Sequence, residues 1–137
     1  MTKSKPPKKL IIKSETSELT KVERFLKEFF VECCVPKESF NKVFLCLSEA
    51  VINSIEHGNN NDVNKEVYIF ADCVSKSLKV NIKDQGIGFD HKEIPDPTKI
   101  ENLRKESGRG IHIMKSLSDK IEYKINEISI LFKIDCK

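Results

Sequence analysis

The stretch SEAVINSIEHG, residues 48–58, says most about the fold of this chain. It lies in a run of helical periodicity from Glu38 to His57, whose apolar side chains share one side of a helical wheel. Glu49 and Asn53 stand nearly opposite that side and one helical turn apart, so the sequence predicts that their side chains lie close together. His57 continues the same row.

This pair of polar residues has two interpretations. The first is the solvated face of an amphipathic helix. The second is a ligand site, because Asn53 offers Mg²⁺ a neutral oxygen and Glu49 can accept a proton near a γ-phosphate. Leu45, Cys46 and Ile52 flank the pair and make this side less polar than a fully solvated face. Partial desolvation would raise the pKa of Glu49 and make it a better base.

A second motif, DQGIGF at residues 84–89, follows an alternating strand that ends at Lys83. The Asp84 carboxylate can accept a hydrogen bond from the exocyclic amine of adenine, whereas the carbonyl of guanine would be repelled. Gly86 and Gly88 lack Cβ atoms, so their backbone can lie against a flat base. A glycine-requiring turn or an acidic calcium-like loop explains the same residues, although the oxygen ligands of an EF-hand are missing.

A third motif precedes a predicted helix and consists of Ser107, Gly108, Arg109, Gly110 and Ile111. Glycines before a helix start expose free N–H groups and the positive end of the helix dipole, which suit phosphate. The arginine adds a charge-assisted contact. The motif is neither a P-loop nor a dinucleotide fingerprint. Its alternative interpretation is a glycine-hinged loop end.

Composition limits the remaining function classes. The 137 residues carry a net charge of +3, and five lysines precede the first acidic residue. Without that leader the charge is slightly negative, which argues against a nucleic-acid-binding surface. We predict a basic disordered tail at residues 1–8 and a single domain over residues 9–137. The five cysteines show no pairing pattern and no apolar run could span a membrane, so the expected location is the cytoplasm.

The order of elements predicts the fold class, an α+β two-layer sandwich with a mixed, mostly antiparallel sheet and helices on one face. The predicted elements are a strand at Lys9–Lys13, a helix from Leu19 to Pro36, a helix at Glu38–His57, strands at Val67–Val74 and Leu78–Lys83, a loop at His91–Ser107, a helix at Gly110–Asp119, and strands at Ile121–Ile125 and Ile128–Ile134 joined across Asn126-Glu127.

Together and in this order, the three motifs resemble the N box and the two glycine boxes of the GHKL superfamily, the ATPases that include gyrase, the Hsp90 chaperone, histidine kinases and mismatch-repair proteins. The N box ending in His57-Gly58 and the phrase GRGIHIMKSLSD, residues 108–119, most resemble the bacterial anti-sigma-factor serine kinases. The resemblance covers about residues 19–134.

The resemblance implies a Bergerat-type ATP-binding fold with ATP and Mg²⁺ as cofactors. It implies that Asn53 binds the metal, Asp84 binds adenine, Glu49 is the catalytic base, and the loop at 91–107 is a lid. His57, both glycines of the second motif and the whole third motif would line the nucleotide. The implied partners are an anti-anti-sigma protein phosphorylated on serine and a sigma factor.

No nucleic-acid or membrane partner is expected. A homodimer could form through an exposed helix face near Phe25–Phe30. The alternative to a kinase is a non-catalytic, ATP-dependent protein-binding switch. A third hypothesis is slow ATP hydrolysis that drives movement of the lid.

Overall fold

The secondary structure follows the predicted order of elements. The computed structural model describes residues 7–74, 76–85, 113–124 and 126–134. Its elements are β1 (Lys8–Lys13), a 3₁₀ turn (Thr16–Glu18), α1 (Leu19–Glu32), a 3₁₀ turn (Lys37–Ser39), α2 (Phe40–Asn53), a π-helical turn (Ser54–Gly58), β2 (Glu66–Val74), β3 (Ser77–Lys83), β4 (Lys120–Lys124) and β5 (Glu127–Lys133). Residues 113–117 are also helical, so that helix ends before the predicted Asp119.

The five strands form one sheet in the order β1-β2-β3-β5-β4. Each neighbouring pair is antiparallel, which confirms the predicted α+β class with a mostly antiparallel sheet. β3 lies beside β5 although residues 84–126 separate them along the chain, and Val80 pairs with Ile130 at the centre of that contact.

Alternation along the strands gives the sheet one apolar face. α2 lies against this face with the apolar side that the helical wheel predicts, and burial of these side chains stabilises the two-layer packing. The fully buried residues of this contact are Val43, Leu47, Ala50 and Val51 on α2, Val67, Ile69 and Ala71 on β2, Leu78, Val80 and Ile82 on β3, and Ile130 and Phe132 on β5.

α1 begins at the predicted Leu19 but ends at Glu32, before the predicted Pro36, and no side chain caps its start. The Lys13 amide instead donates to Glu18 Oε1 at 3.1 Å, and this bond, together with Lys21, lowers the pKa of Glu18. The prediction of an exposed helix face near Phe25–Phe30 is wrong, because most of the aromatic rings on this part of α1 lie in the core. The phenylalanines at 29 and 30 are buried.

The last hairpin is shifted by one residue from the predicted turn at Asn126-Glu127. Lys124 pairs with Glu127, which therefore belongs to β5. Asn126 adopts a φ of 65°, a left-handed conformation that asparagine tolerates better than most residues. The register follows from Ile128 and Ile130, which must face the core. β1 begins at Lys8, one residue earlier than predicted.

The part of the chain that the structure describes contains no helix that is both long and apolar enough to cross a membrane. The four cysteines within it are not joined in disulfides.

Candidate functional site

α2 carries the predicted polar pair near its C-terminal end. Glu49 and Asn53 are both half-buried and one turn apart. Burial raises the pKa of Glu49 above its ordinary value, and the nearby Glu56 carboxylate adds to the rise. Cys46, which precedes Glu49 on the same helix, is wholly buried, and burial raises the pKa of its thiol to about 11. The carboxylate therefore stands in the partly desolvated setting that a general base needs.

The sequence predicts that this α-helix continues to His57, but in the structure it ends earlier. α2 ends at Asn53, and Ser54–Gly58 form a π-helical turn in which the Asn59 amide donates to the Ser54 carbonyl at 2.8 Å. His57 lies within this turn, one residue before its end. π turns inside helices occur frequently at functional sites.

Gly58 and Asp84 bring two of the predicted motifs into contact. A Cβ atom built at Gly58 would overlap the Asp84 carboxylate, so only glycine leaves room for that side chain. Asp84 follows β3, and its backbone N–H donates to the Asn126 carbonyl at 3.0 Å. The carboxylate expected to bind adenine therefore lies at the end of the helix that carries Glu49 and Asn53.

Asn59 is not among the predicted site residues, because nothing in the local sequence distinguishes it from its neighbours Asn60 and Asn61. It is fully buried, and its Oδ1 accepts a hydrogen bond from the Gln85 amide at 2.8 Å. Its Nδ2 donates to Ser14 Oγ at 2.8 Å and to the Glu66 carbonyl at 3.0 Å. Only the position directly after the N box could have drawn attention to it.

The Gln85 side chain adds a second link at this corner of the sheet. Its Oε1 accepts a hydrogen bond from the Glu66 amide at 2.6 Å. Asn59 and Gln85 thus connect the residue after Asp84 to the first residue of β2. Hydrogen bonds to both the backbone and the side chain of Gln85 therefore fix the chain just after β3, where the second motif begins.

Of the predicted site residues, the structure places Glu49, Asn53 and His57 on one continuous helical segment and Asp84 against its end. Gly86, Gly88, the third motif (Ser107, Gly108, Arg109, Gly110 and Ile111) and the predicted lid at 91–107 lie outside the described residues. In the described ranges, no group of three or more histidine, cysteine, aspartate or glutamate side chains could hold a metal ion.

The fold and this site define a class of protein. The family model for the histidine kinase-like ATPase domain matches residues 12–130. This range includes α2, Asp84, the whole of β2, β3 and β4, and parts of β1 and β5. The chain therefore belongs to the family of histidine kinase-like ATPase domains.

Relatives within this class carry a more specific name. Over 88 residues the chain is 34% identical to the anti-sigma F factor of Shouchella clausii, in a match that covers 62% of this chain and 60% of that protein. It is 36% identical over 94 residues to the anti-sigma F factor of Bacillus thuringiensis, covering 66% and 63%. The matches therefore span somewhat less than two thirds of the length of these curated relatives.

A solved structure supports the fold. The crystal structure of the RsbU and RsbW domains of Rv1364c from Mycobacterium tuberculosis superposes with a TM-score of 0.60 over 96% of this chain and 33% of that one. Sequence identity is 15%, so this likeness concerns the fold alone.

Proposed function

We propose that this chain is an ATP-binding serine-protein kinase and anti-sigma factor, which phosphorylates an anti-anti-sigma partner and sequesters a sigma factor. The observation that carries the proposal is the contact of Gly58 with Asp84, because it joins the proposed adenine ligand to the helix that bears Glu49 and Asn53. The family of ATPase domains supports ATP binding. Relatives named anti-sigma F factor support the choice of partners.

Asp84 is the proposed adenine ligand. Its carboxylate accepts a hydrogen bond from the exocyclic amine of the base, a contact that guanine cannot make. Hydrogen bonds from the backbone N–H groups of Asp84 and Gln85, to Asn126 and Asn59 respectively, favour a well-defined position for this side chain. Gly86 and Gly88 complete the base site in the proposal.

Asn53 is the proposed ligand for Mg²⁺. A single neutral amide oxygen suits this ion when phosphate oxygens and water supply the remaining octahedral ligands. The described residues hold no all-protein cluster of acidic or histidine ligands, which fits such a sparse donor set. When bound, Mg²⁺ offsets the negative charge of the phosphates. Arg109 and the glycines of the third motif complete the phosphate site.

Glu49 is the proposed general base. It accepts the proton of the partner's serine hydroxyl while the serine oxygen bonds to the γ-phosphorus and the bond from that phosphorus to the β,γ-bridging oxygen breaks, which releases ADP. The raised pKa of Glu49 makes its carboxylate a stronger base than an exposed carboxylate. Its place one turn from Asn53 supports this role.

The test is transfer of label from γ-labelled ATP to small serine-bearing anti-anti-sigma proteins. We expect Glu49→Gln to keep ATP binding and to lower transfer about 10²-fold or more. Asn53→Ala should abolish Mg-ATP binding, whereas Asn41→Ala, which changes an exposed asparagine at the other end of α2, should behave as wild type. Wild-type transfer by the Glu49→Gln variant would show that the base is wrongly assigned.

The second candidate is a non-catalytic switch in which ATP binding alone controls a protein partner. The half-buried, partly desolvated Glu49 favours the kinase, because a pure nucleotide binder has no need of a base. Tight Mg-ATP binding and ATP-dependent capture of a sigma factor, without label on any partner, would favour the switch. Phosphate release without any partner would indicate slow hydrolysis instead.

A further inference from the structure

Asn59 is a buried residue whose side-chain amide uses both of its donors and its acceptor oxygen in hydrogen bonds. An amide taken out of water must recover its lost hydrogen bonds within the protein. Both of its donor hydrogens are engaged, by Ser14 Oγ and the Glu66 carbonyl, and its acceptor oxygen takes the Gln85 N–H. A polar side chain bonded in three directions, with no exposed surface, is held in one orientation.

These bonds join one helix end to three strands. Ser14 follows β1, Glu66 opens β2, and Gln85 lies two residues after β3. The Asn59 backbone also closes the π-helical turn through the Ser54 carbonyl. Asn59 therefore links the π-helical turn that ends the N box to the backbone that follows β3.

Asp84 lies between two points that Asn59 controls. Its carboxylate packs against Gly58, the residue before Asn59, and the next backbone N–H after it is bonded to Asn59 Oδ1. We infer that Asn59 is a positioning residue that sets the nucleotide-base preference of the site by holding Asp84 in place. Asn59 itself has no exposed surface with which to touch a nucleotide. This inference rests on the proposed function of Asp84 in binding adenine.

The asparagine amide is matched to its neighbours. An aspartate at 59 would keep the acceptor for the Gln85 N–H, but it would lose both donors and place a charge beside the Glu66 carbonyl. An alanine would leave the Gln85 N–H, Ser14 Oγ and the Glu66 carbonyl each short of one partner. Ser14→Ala removes the acceptor of one Asn59 donor and the bond from Ser14 Oγ to the Lys65 carbonyl. It leaves the bond from Gln85 to Asn59 intact, so it serves as the matched control.

The experiment measures ATP and GTP affinity by calorimetry in the presence of Mg²⁺, together with thermal stability. We expect Asn59→Ala to weaken ATP binding about 10-fold or more and GTP binding much less, because a displaced Asp84 affects only the base that it recognises. Ser14→Ala should lose stability but keep the wild-type ratio of ATP to GTP affinity. A purely structural role of Asn59 would leave the ratio of ATP to GTP affinity unchanged, even if both affinities fall. An unchanged ratio would therefore overturn the inference.

Two further outcomes are distinguishable. Wild-type protein that binds no ATP would refute the proposed function and this inference with it, whereas wild-type binding with an unchanged Asn59→Ala ratio refutes the inference alone. If Asn59→Ala does not fold, hydrogen exchange of the wild-type chain tests whether Asn59 holds the backbone at Gln85. Slow exchange of the Gln85 amide is expected without nucleotide, and rapid exchange would show that Asn59 does not hold this backbone.

Discussion

At the scale of single residues, Glu49, the proposed base, shows how burial of a carboxyl group can oppose stability. Burial is the larger cause of its raised pKa, so the ionised form is the one that the folded protein disfavours. A carboxyl group whose folded pKa exceeds its unfolded pKa adds stability below the unfolded pKa, and this stability is lost as the pH rises through the folded value. Ionisation of Glu49 as the pH rises therefore works against folding.

A neutral isostere should relieve this cost. We predict that Glu49→Gln has an unfolding temperature at pH 7 equal to or above that of wild type. The difference should be smaller at about pH 3, well below the ordinary carboxyl pKa of 4.5, where Glu49 is mostly protonated in both the folded and the unfolded state. Thermal unfolding followed by circular dichroism at the two pH values measures the effect. Glu38→Gln, which changes an exposed carboxylate just before α2, should bring no such gain. A loss of stability in Glu49→Gln that grows toward pH 7 would contradict the prediction.

The run Gly58-Asn59-Asn60-Asn61 shows what residue types alone can and cannot predict. The sequence predicts a helix end with residues that tolerate positive φ, and Asn60 and Asn61 have φ values of 53° and 59°. Asn59 has a φ of −95° and is instead a buried hydrogen-bonding residue. Three identical neighbours give no local signal for this difference, because it arises from strands that are distant in sequence.

At the scale of elements, the junction between the π-helical turn and the end of β3 decides the geometry of the site. Helical periodicity predicts the polar pair on α2 correctly, since an interval of four residues is one turn. It does not predict the change from α to π hydrogen bonding, because the apolar pattern is nearly the same in both. It also gives Gly58 a turn-forming role, whereas the structure requires glycine there for its contact with Asp84.

This contact predicts a specific energetic coupling. Gly58→Ala should destabilise the chain by about 1–3 kcal/mol, because the added methyl group displaces the Asp84 carboxylate, and it should weaken ATP binding as well. In an Asp84→Ala background the same substitution should cost little, because the carboxylate is gone. Denaturant unfolding of the two single variants and the double variant measures the coupling. Additive losses would show that the two residues are not in contact.

At the scale of the whole molecule, burial of apolar side chains between α2 and the sheet stabilises the packing of the two layers. Leu47→Ala, at a fully buried position facing the sheet, should lower the free energy of unfolding by about 2–5 kcal/mol. Leu45→Ala, on the same helix with its leucine 42% exposed, should change it by about 0.5 kcal/mol or less. Denaturant unfolding compares them directly, and equal losses would contradict the observed orientation of α2.

The two layers were predictable from the sequence because alternation along strands and periodicity along helices each identify a buried face. The order of the strands was not, since these patterns say which face is buried but not which strand lies beside which. The pairing of β3 with β5 depends on contacts across more than forty residues. The glycine boxes were recognisable only by resemblance, and Gly86, Gly88 and residues 107–111 remain predictions.

That pairing has a consequence for how the chain folds and varies. Because β3 and β5 are neighbours, their pairing brings together residues that are more than forty positions apart in sequence, and the entropy of closing that separation must be met before the sheet is complete. Loop-closure entropy grows only logarithmically, by about 0.6 kcal/mol for each doubling of length. Insertions between the two strands are therefore inexpensive at equilibrium, while formation of the β3–β5 ladder is expected late in folding.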